Sequence, residues 1–225
     1  MGRTVKEHDE RRSEILDTAQ QFFYQKGYEQ TSIQEIINAI GIAKGTFYHY
    51  FDSKLALLDE LIERILDQTS QAVKPIVDDP NLDALEKFNQ LIATVDSRKI
   101  EDKVFYLSIL QIWYKDENIL LRNKLEIASA KATASLLTTI IQQGAAEGVF
   151  TTDYPGEIGE IITLIGQSLS KEVAITILNA KDNGRLFSSI ERKAVVHEHA
   201  IERLLGAPKD SVRLYDADRL RQWFE

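Results

Sequence analysis

TSIQEIINAIGIAKGTFYHYFDSK, residues 31–54, reads as two short helices joined by a glycine-bearing turn and followed by the cap of a third. Ser32 with Glu35 three residues on has the spacing of a capping box, in which the serine hydroxyl serves an N–H of the first turn and the carboxylate reaches back to the serine N–H. The helix that starts there carries Ile33, Ile36, Ile37 and Ile40 on one face. Gly41 follows, a residue type that tolerates positive φ where the chain must reverse. A second helix is expected from about Ala43. In it Phe47 and Phe51, four apart, form a core-facing pair and leave Lys44, Thr46, Tyr48, His49 and Tyr50 outward. An exposed face of hydroxyls, an imidazole and a lysine suits phosphates and base edges.

Working outward, an earlier helix from Asp9 to Lys26 has Ile15, Leu16, Ala19, Phe22 and Phe23 on one side, and Gly27 closes it as a left-handed cap with Tyr28 packing back. Asp52 and Ser53 can cap a helix from about Lys54 to Val73 with Leu55, Leu58, Leu61, Ile62 and Ile65 as its inner stripe. Taken together, the run from Arg12 to Ile65 resembles the N-terminal DNA-binding domain of the TetR family of transcriptional regulators. The segments that carry the likeness are Lys26-Gly27-Tyr28, Thr31-Ser32-Ile33 with Ile36, Ala39 with Gly41-Ile42, Lys44-Gly45-Thr46-Phe47-Tyr48 with Tyr50-Phe51, and Ser53-Lys54 with Leu57. Gly144 with Gly148 and Phe150 resembles a turn that often closes a later helix in that family.

The resemblance implies an all-α, TetR-like fold: an N-terminal three-helix helix-turn-helix domain and a C-terminal helical ligand-binding and dimerisation domain. It implies a DNA-binding transcriptional regulator and no enzyme: a homodimeric repressor on a pseudo-palindromic double-stranded operator, released by a small-molecule effector, with no cofactor. Thr31, Ser32, Lys44, Gly45, Thr46, Tyr48, His49, Tyr50 and Lys54 are the DNA-contacting positions. Lys44, Thr46, Tyr48, Tyr50 and Lys54 would hold phosphates, and Gly45, Thr46 and His49 would lie nearest the base edges. Tyr48 and Tyr50 have core packing as their other reading.

Pro75, Asp78, Asp79 and Pro80 interrupt the helical pattern and set an expected boundary near residue 75. The expected division is a flexible arm at 1–8, the DNA-binding domain at 9–74 with its helix-turn-helix at 32–51, an effector-binding and dimerisation domain at 75–205, and an extension at 206–225. Arg3 and Lys6 in the arm either touch DNA or belong to a frayed terminus. Beyond the boundary, helices are expected at about 82–98, 102–115, 118–146, 156–180 and 187–205. Phe88, Phe105, Ile109, Gln111, Trp113, Tyr114 and Asn123 are candidates to line an effector cavity, with plain core as the alternative. The segment 157–178 carries a bulky stripe and a small-residue stripe, which would be covered on more than one side. From it and the helix after it, Ile158, Ile162, Ile165, Gly166, Leu169, Ser170, Val173, Ile190, Ala194, His197 and Ile201 are expected at an isologous dimer interface; the alternative is a monomer's core, with His197 structural. Leu220, Trp223 and Phe224 in the extension are expected to dock on the body or on a partner subunit.

Composition bounds these readings. The 225 residues are 44% apolar and 28% charged, enough for a sizeable core. Uninterrupted apolar runs fall short of the eighteen or so residues of a membrane span. Zero cysteines leave no disulfide or thiolate site and sit easily with a reducing cytoplasm. The four histidines offer no metal pair, since His197 and His199, two apart on a helix, point different ways. The net charge of -8 does not argue against nucleic acid, because residues 1–54 carry -1 of it and DNA affinity depends on cations at the contact surface. The rival readings are an architectural, chromosome-organising DNA binder of the same fold without effector, and a helical enzyme or carrier. The second lacks any bracketed pair of catalytic carboxylates.

Overall fold

The computed structural model describes residues 2–101, 110–179 and 183–215, all helix or loop, with no strand among them. Eight α-helices are described: α1 Gly2–Lys26, α2 Ile33–Ile40, α3 Lys44–Tyr50, α4 Lys54–Val77, α5 Ala84–Glu101, α6 Ile119–Glu147, α7 Ile158–Asn179 and α8 Asn183–Leu205. A short 3₁₀ turn, Asp116–Asn118, precedes α6. Expectations for 102–109 and for Leu220, Trp223 and Phe224 fall outside the described residues.

The chain divides into two compact units, Met1–Gln68 with Ser108–Ala128, and Thr69–Leu107 with Ser129–Glu225. The expected boundary near residue 75 is therefore displaced. Pro75 lies in the last turn of α4, where its missing N–H costs one bond, and Asp78 N still donates to Lys74 O at 3.0 Å. At the other end, α1 begins at Gly2, so the residues expected as an arm lie in its first turns.

The N-terminal unit is built on Ile15, Leu16, Ala19 and Phe23 of α1, Ile36 and Ile37 of α2, Phe47 and Phe51, and Leu57, Leu58, Leu61 and Ile62 of α4, all buried. The inner stripe of α4 thus runs through Leu57; Leu55, expected there, is exposed. Leu121 completes this core from 60 residues further on, with Trp113 and Leu125 packed against it. Asn118, buried beside them, accepts from Tyr28 N at 2.7 Å and donates to Ile112 O at 3.0 Å. Gly27 is required at this junction twice over: its φ is +98°, and a Cβ on it would stand 3.1 Å from the Glu117 Cβ.

The C-terminal unit has its own core, from Ala84, Phe88 and Leu91 of α5, Leu137, Ile140 and Ile141 of α6, Ile158, Ile162, Leu169 and Val173 of α7, and Ile190, Ala194, Ile201 and Leu205 of α8. The turn after α6 forms as expected. Gly148 takes φ +75°, Val149 N and Phe150 N both donate to Gly144 O, and the buried Phe150 ring lies over Gly144, where a Cβ would also meet the Ala84 Cβ at 2.9 Å. By length and composition Ile158–Leu178 could cross a membrane, but four of its large side chains belong to this core.

Candidate nucleic-acid interface

The reading helix is placed by the two elements before it. Ser32 caps α2 as a full box: Glu35 N donates to Ser32 Oγ at 3.2 Å and Ser32 N donates to Glu35 Oε2 at 2.9 Å. The Glu35 carboxylate also pairs with Lys26 at the end of α1. Lys26 foremost, then the Ser32 N–H and hydroxyl, hold that carboxyl down to about 2. Gly41, at φ +75°, ends α2 with its N–H on Ile37 O, and Ile42 N donates to the same oxygen. Ala43, extended at φ -72°, ψ 151°, then starts α3.

Helix α3 shows and hides what its sequence requires. Phe47 is fully buried and Phe51, at its C-cap, nearly so, their rings 5.8 Å apart. Lys44, Gly45, Tyr48 and His49 are exposed and Thr46 half-buried. Around Gly45 no atom stands within 4 Å of where a Cβ would be, so the helix backbone is open to a close neighbour there. The Lys44 ammonium lies 5.9 Å from the Tyr48 ring, which settles Tyr48 on the outward side. Tyr50 is intermediate, partly packed on the core and in ring contact with His49 at 5.2 Å.

Three positions expected at DNA are engaged inside the protein. Thr31 is buried and its hydroxyl donates to Gly27 O at 2.8 Å, tying down the turn. Lys54 donates to Tyr28 O and Thr31 O at 3.0 Å and to Glu29 O at 3.4 Å, with its ammonium 4.3 Å from the Tyr28 ring. An ammonium has three donors, and three carbonyls use them, so Lys54 holds the loop before α2. The Ser32 hydroxyl, though on an exposed residue, is engaged with Glu35. Sequence reasoning also missed His8. Its ring lies 4.6 Å from that of Tyr50 and 5.8 Å from that of His49, which brings a second imidazole to the α3 surface. Its signal was a helical phase continuous with α1, hidden by treating residues 1–8 as an arm.

Residues 15–61 match the family described as bacterial regulatory proteins, tetR family. The chain carries the helix-turn-helix domain of the TetR family. Among curated relatives it is similar to the HTH-type transcriptional repressor KstR2 of Rhodococcus jostii, at 36% identity over 84 residues, which is 37% of this chain and 41% of that protein. It is also similar to the HTH-type transcriptional regulator YuxN of Bacillus subtilis, at 49% over 55 residues, 24% of this chain and 19% of that one. These matches thus span well under two thirds of the relatives' length. The fold likeness reaches further: the reduced form of Escherichia coli NemR superposes with TM-score 0.57 at 17% identity over 88% of this chain and 98% of that one.

The C-terminal unit of this TetR-type chain contains a cavity of about 210 Å³ that is partly open to solvent, lined from α4, α5, α6, α7, α8 and the segment after α8. Of the seven expected effector-lining residues, Phe88 lines it. Gln111, Trp113, Tyr114 and Asn123 belong to the N-terminal unit instead, with Trp113 against that unit's core and the Tyr114 ring under the Arg122 guanidinium. Phe105 and Ile109 lie outside the described residues. Aromatic spacing marked helices that face some core, and did not say which.

The expected dimer residues divide in the same way. Ile158, Ile162, Leu169, Val173, Ile190, Ala194 and Ile201 are buried in the subunit's own core, Ile165 packs on its edge, and Gly166 and Ser170 line the cavity. His197 places Nδ1 2.7 Å from Lys193 O on its own helix. Among the described residues, the large apolar side chains that α7 and α8 leave exposed are Ile161, Leu164, Ile175, Val195 and Val196. The small-residue stripe of α7 turns inward at Gly159, Thr163 and Ala174, while Ser170 is exposed. A Cβ on Gly159 would stand 3.0 Å from Ala134 O, and Thr163 is buried.

Proposed function

We propose that this chain is a cytoplasmic DNA-binding transcriptional regulator: a homodimeric repressor that seats α3 of each copy in successive major grooves of a pseudo-palindromic operator and is released by a small-molecule effector. The observation that carries it is the outward face of α3, where Lys44, Thr46, Tyr48 and His49 surround an uncrowded Gly45 while Phe47 fixes the helix from beneath. Lys44 and Tyr48 hold phosphates, and Gly45, Thr46 and His49 face base edges. In a two-fold dimer the paired helices meet grooves about 34–36 Å apart. Ile161, Leu164, Ile175, Val195 and Val196 form the face that a second copy covers, since a set of exposed apolar side chains on two adjacent helices marks an interaction surface. The cavity favours a ligand-controlled regulator over an architectural DNA binder.

The test is a gel shift with the DNA upstream of the gene, repeated over a salt series. Lys44→Ala is expected to weaken binding to every operator variant alike and to lower the log–log salt slope by about one unit for each Lys44 contact removed. An unchanged slope means that Lys44 does not meet the backbone.

A further inference from the structure

The cavity of the C-terminal unit has two features that the effector reading leaves unused: among the described residues its wall carries no charged side chain, and part of that wall is not helical. Val73, Phe88, Leu91, Leu137, Ile162 and Leu169 supply apolar surface, and Thr69, Thr133, Gln167, Ser170 and Tyr215 supply uncharged polar groups. A charged ligand group brought here would lose water and find no opposite charge among the described residues, a large cost, whereas a hydroxyl or carbonyl finds partners. At about 210 Å³ the space lies below the roughly 300–1,000 Å³ of drug-sized sites, so the ligand is small.

The non-helical wall is Leu214 and Tyr215, beyond the end of α8. Side chains on two helices hold the segment leading to them. Ser211 N and Val212 N donate to Glu202 Oε1 at 2.8 and 3.2 Å, and Leu214 N donates to Glu198 Oε1 at 2.8 Å. Asn89 of α5 donates to Ser211 O and accepts from Arg213 N, both at 2.9 Å. Glu202 is buried, and its Oε1 accepts from two N–H groups of this very segment. Four consecutive residues outside any helix therefore take part in five hydrogen bonds with side chains.

We propose that the cavity takes a small, uncharged, mainly apolar ligand, and that Ser211–Tyr215, latched by Asn89, Glu198 and Glu202, is the wall that retains it. This rests on the effector reading above and names its ligand class and its closure. Gly166 offers a clean probe, because it lines the cavity and no atom lies within 4 Å of where its Cβ would be. A leucine there grows into the space and also removes a helix-interior glycine.

The experiment titrates the full chain with the fluorescent probe 1-aminoanthracene and displaces it with octanol, octanoate or octylammonium. Octanol is expected to compete at least tenfold better than either ion; equal competition by an ion, or no probe binding by the unaltered chain, overturns the ligand class. Gly166→Leu is expected to lose at least tenfold in probe affinity with an unchanged or raised melting temperature, and full retention of affinity overturns the site. Glu198→Ala and Asn89→Ala are expected to speed probe dissociation at least fivefold, and an unchanged rate overturns the latch. Gel shifts on the same preparations report DNA binding separately, so failure of the ligand proposal is distinguishable from failure of the reader.

Discussion

Helix α3 hides Phe47 and shows Lys44, Thr46, Tyr48 and His49, whereas α7 hides Ile158, Ile162, Leu169 and Val173 and shows Ile161 and Leu164. Both are propped from below by a packed core, so the difference lies in what each face is left to meet. A polar, hydrogen-bonding face with an open backbone at its centre matches a polyanion whose grooves carry donors and acceptors. An apolar face gains by being removed from water, at roughly 25 cal/mol per Å². One helix therefore suits DNA and the other suits protein.

The largest effect that would break this contrast is at the hidden residue. Phe47→Ala leaves a cavity under α3 and is expected to cost the N-terminal unit about 3–5 kcal/mol, read by denaturant unfolding, and to abolish the gel shift. A loss below about 1 kcal/mol would mean that Phe47 does not hold the helix. Next comes the shown residue of α7. Leu164, 62% exposed, touches little within its own subunit, so Leu164→Glu is expected to leave secondary structure intact while sedimentation shows monomer. DNA affinity then falls at least tenfold, about 1.4 kcal/mol. A stable Leu164→Glu dimer would move the interface elsewhere.

The smallest effect sharpens the contrast on the reader's side. Glu35 has its carboxyl depressed from 4.5 to about 2 in the folded chain, so the ionised form favours folding. That contribution is complete above about pH 4.5 and is lost as the pH falls toward 2. Glu35→Gln should therefore flatten the acid limb of the unfolding curve across that window and change little at neutral pH. An acid limb identical to that of the unaltered chain would show that the Lys26 and Ser32 contacts do not persist in solution.

The reader was legible because its determinants are local. Ser32 and Glu35, the left-handed Gly27 and Gly41, and the Phe47–Phe51 pair each act across three or four residues, and each formed as expected. The hold of Lys54 on the loop before α2 was not legible, because its carbonyl partners lie 23 to 26 residues away and a lysine near a helix start looks equally suited to a phosphate. The residues from 110 to 128 were misassigned because Asn118 meets Tyr28 across 90 positions, a pairing with no periodic signature. In α7 the sequence is apolar on more than one side, and period alone does not say which stripe faces the subunit's own core. The bulky stripe does, which leaves Ile161, Leu164 and Ile175 outside. Phe88 could be placed at the cavity, but the rest of its wall is assembled from α4 to α8 and the segment after α8, far apart in sequence.

The most direct test of the central claim is Gly45→Trp. With no atom within 4 Å of the Cβ position, the side chain leaves the backbone without a clash, and its indole blocks approach to a groove. The variant is expected to match the unaltered chain in melting temperature and oligomeric state and to lose operator binding by at least a hundredfold. Operator binding at unaltered affinity would show that DNA is not read by this face of α3.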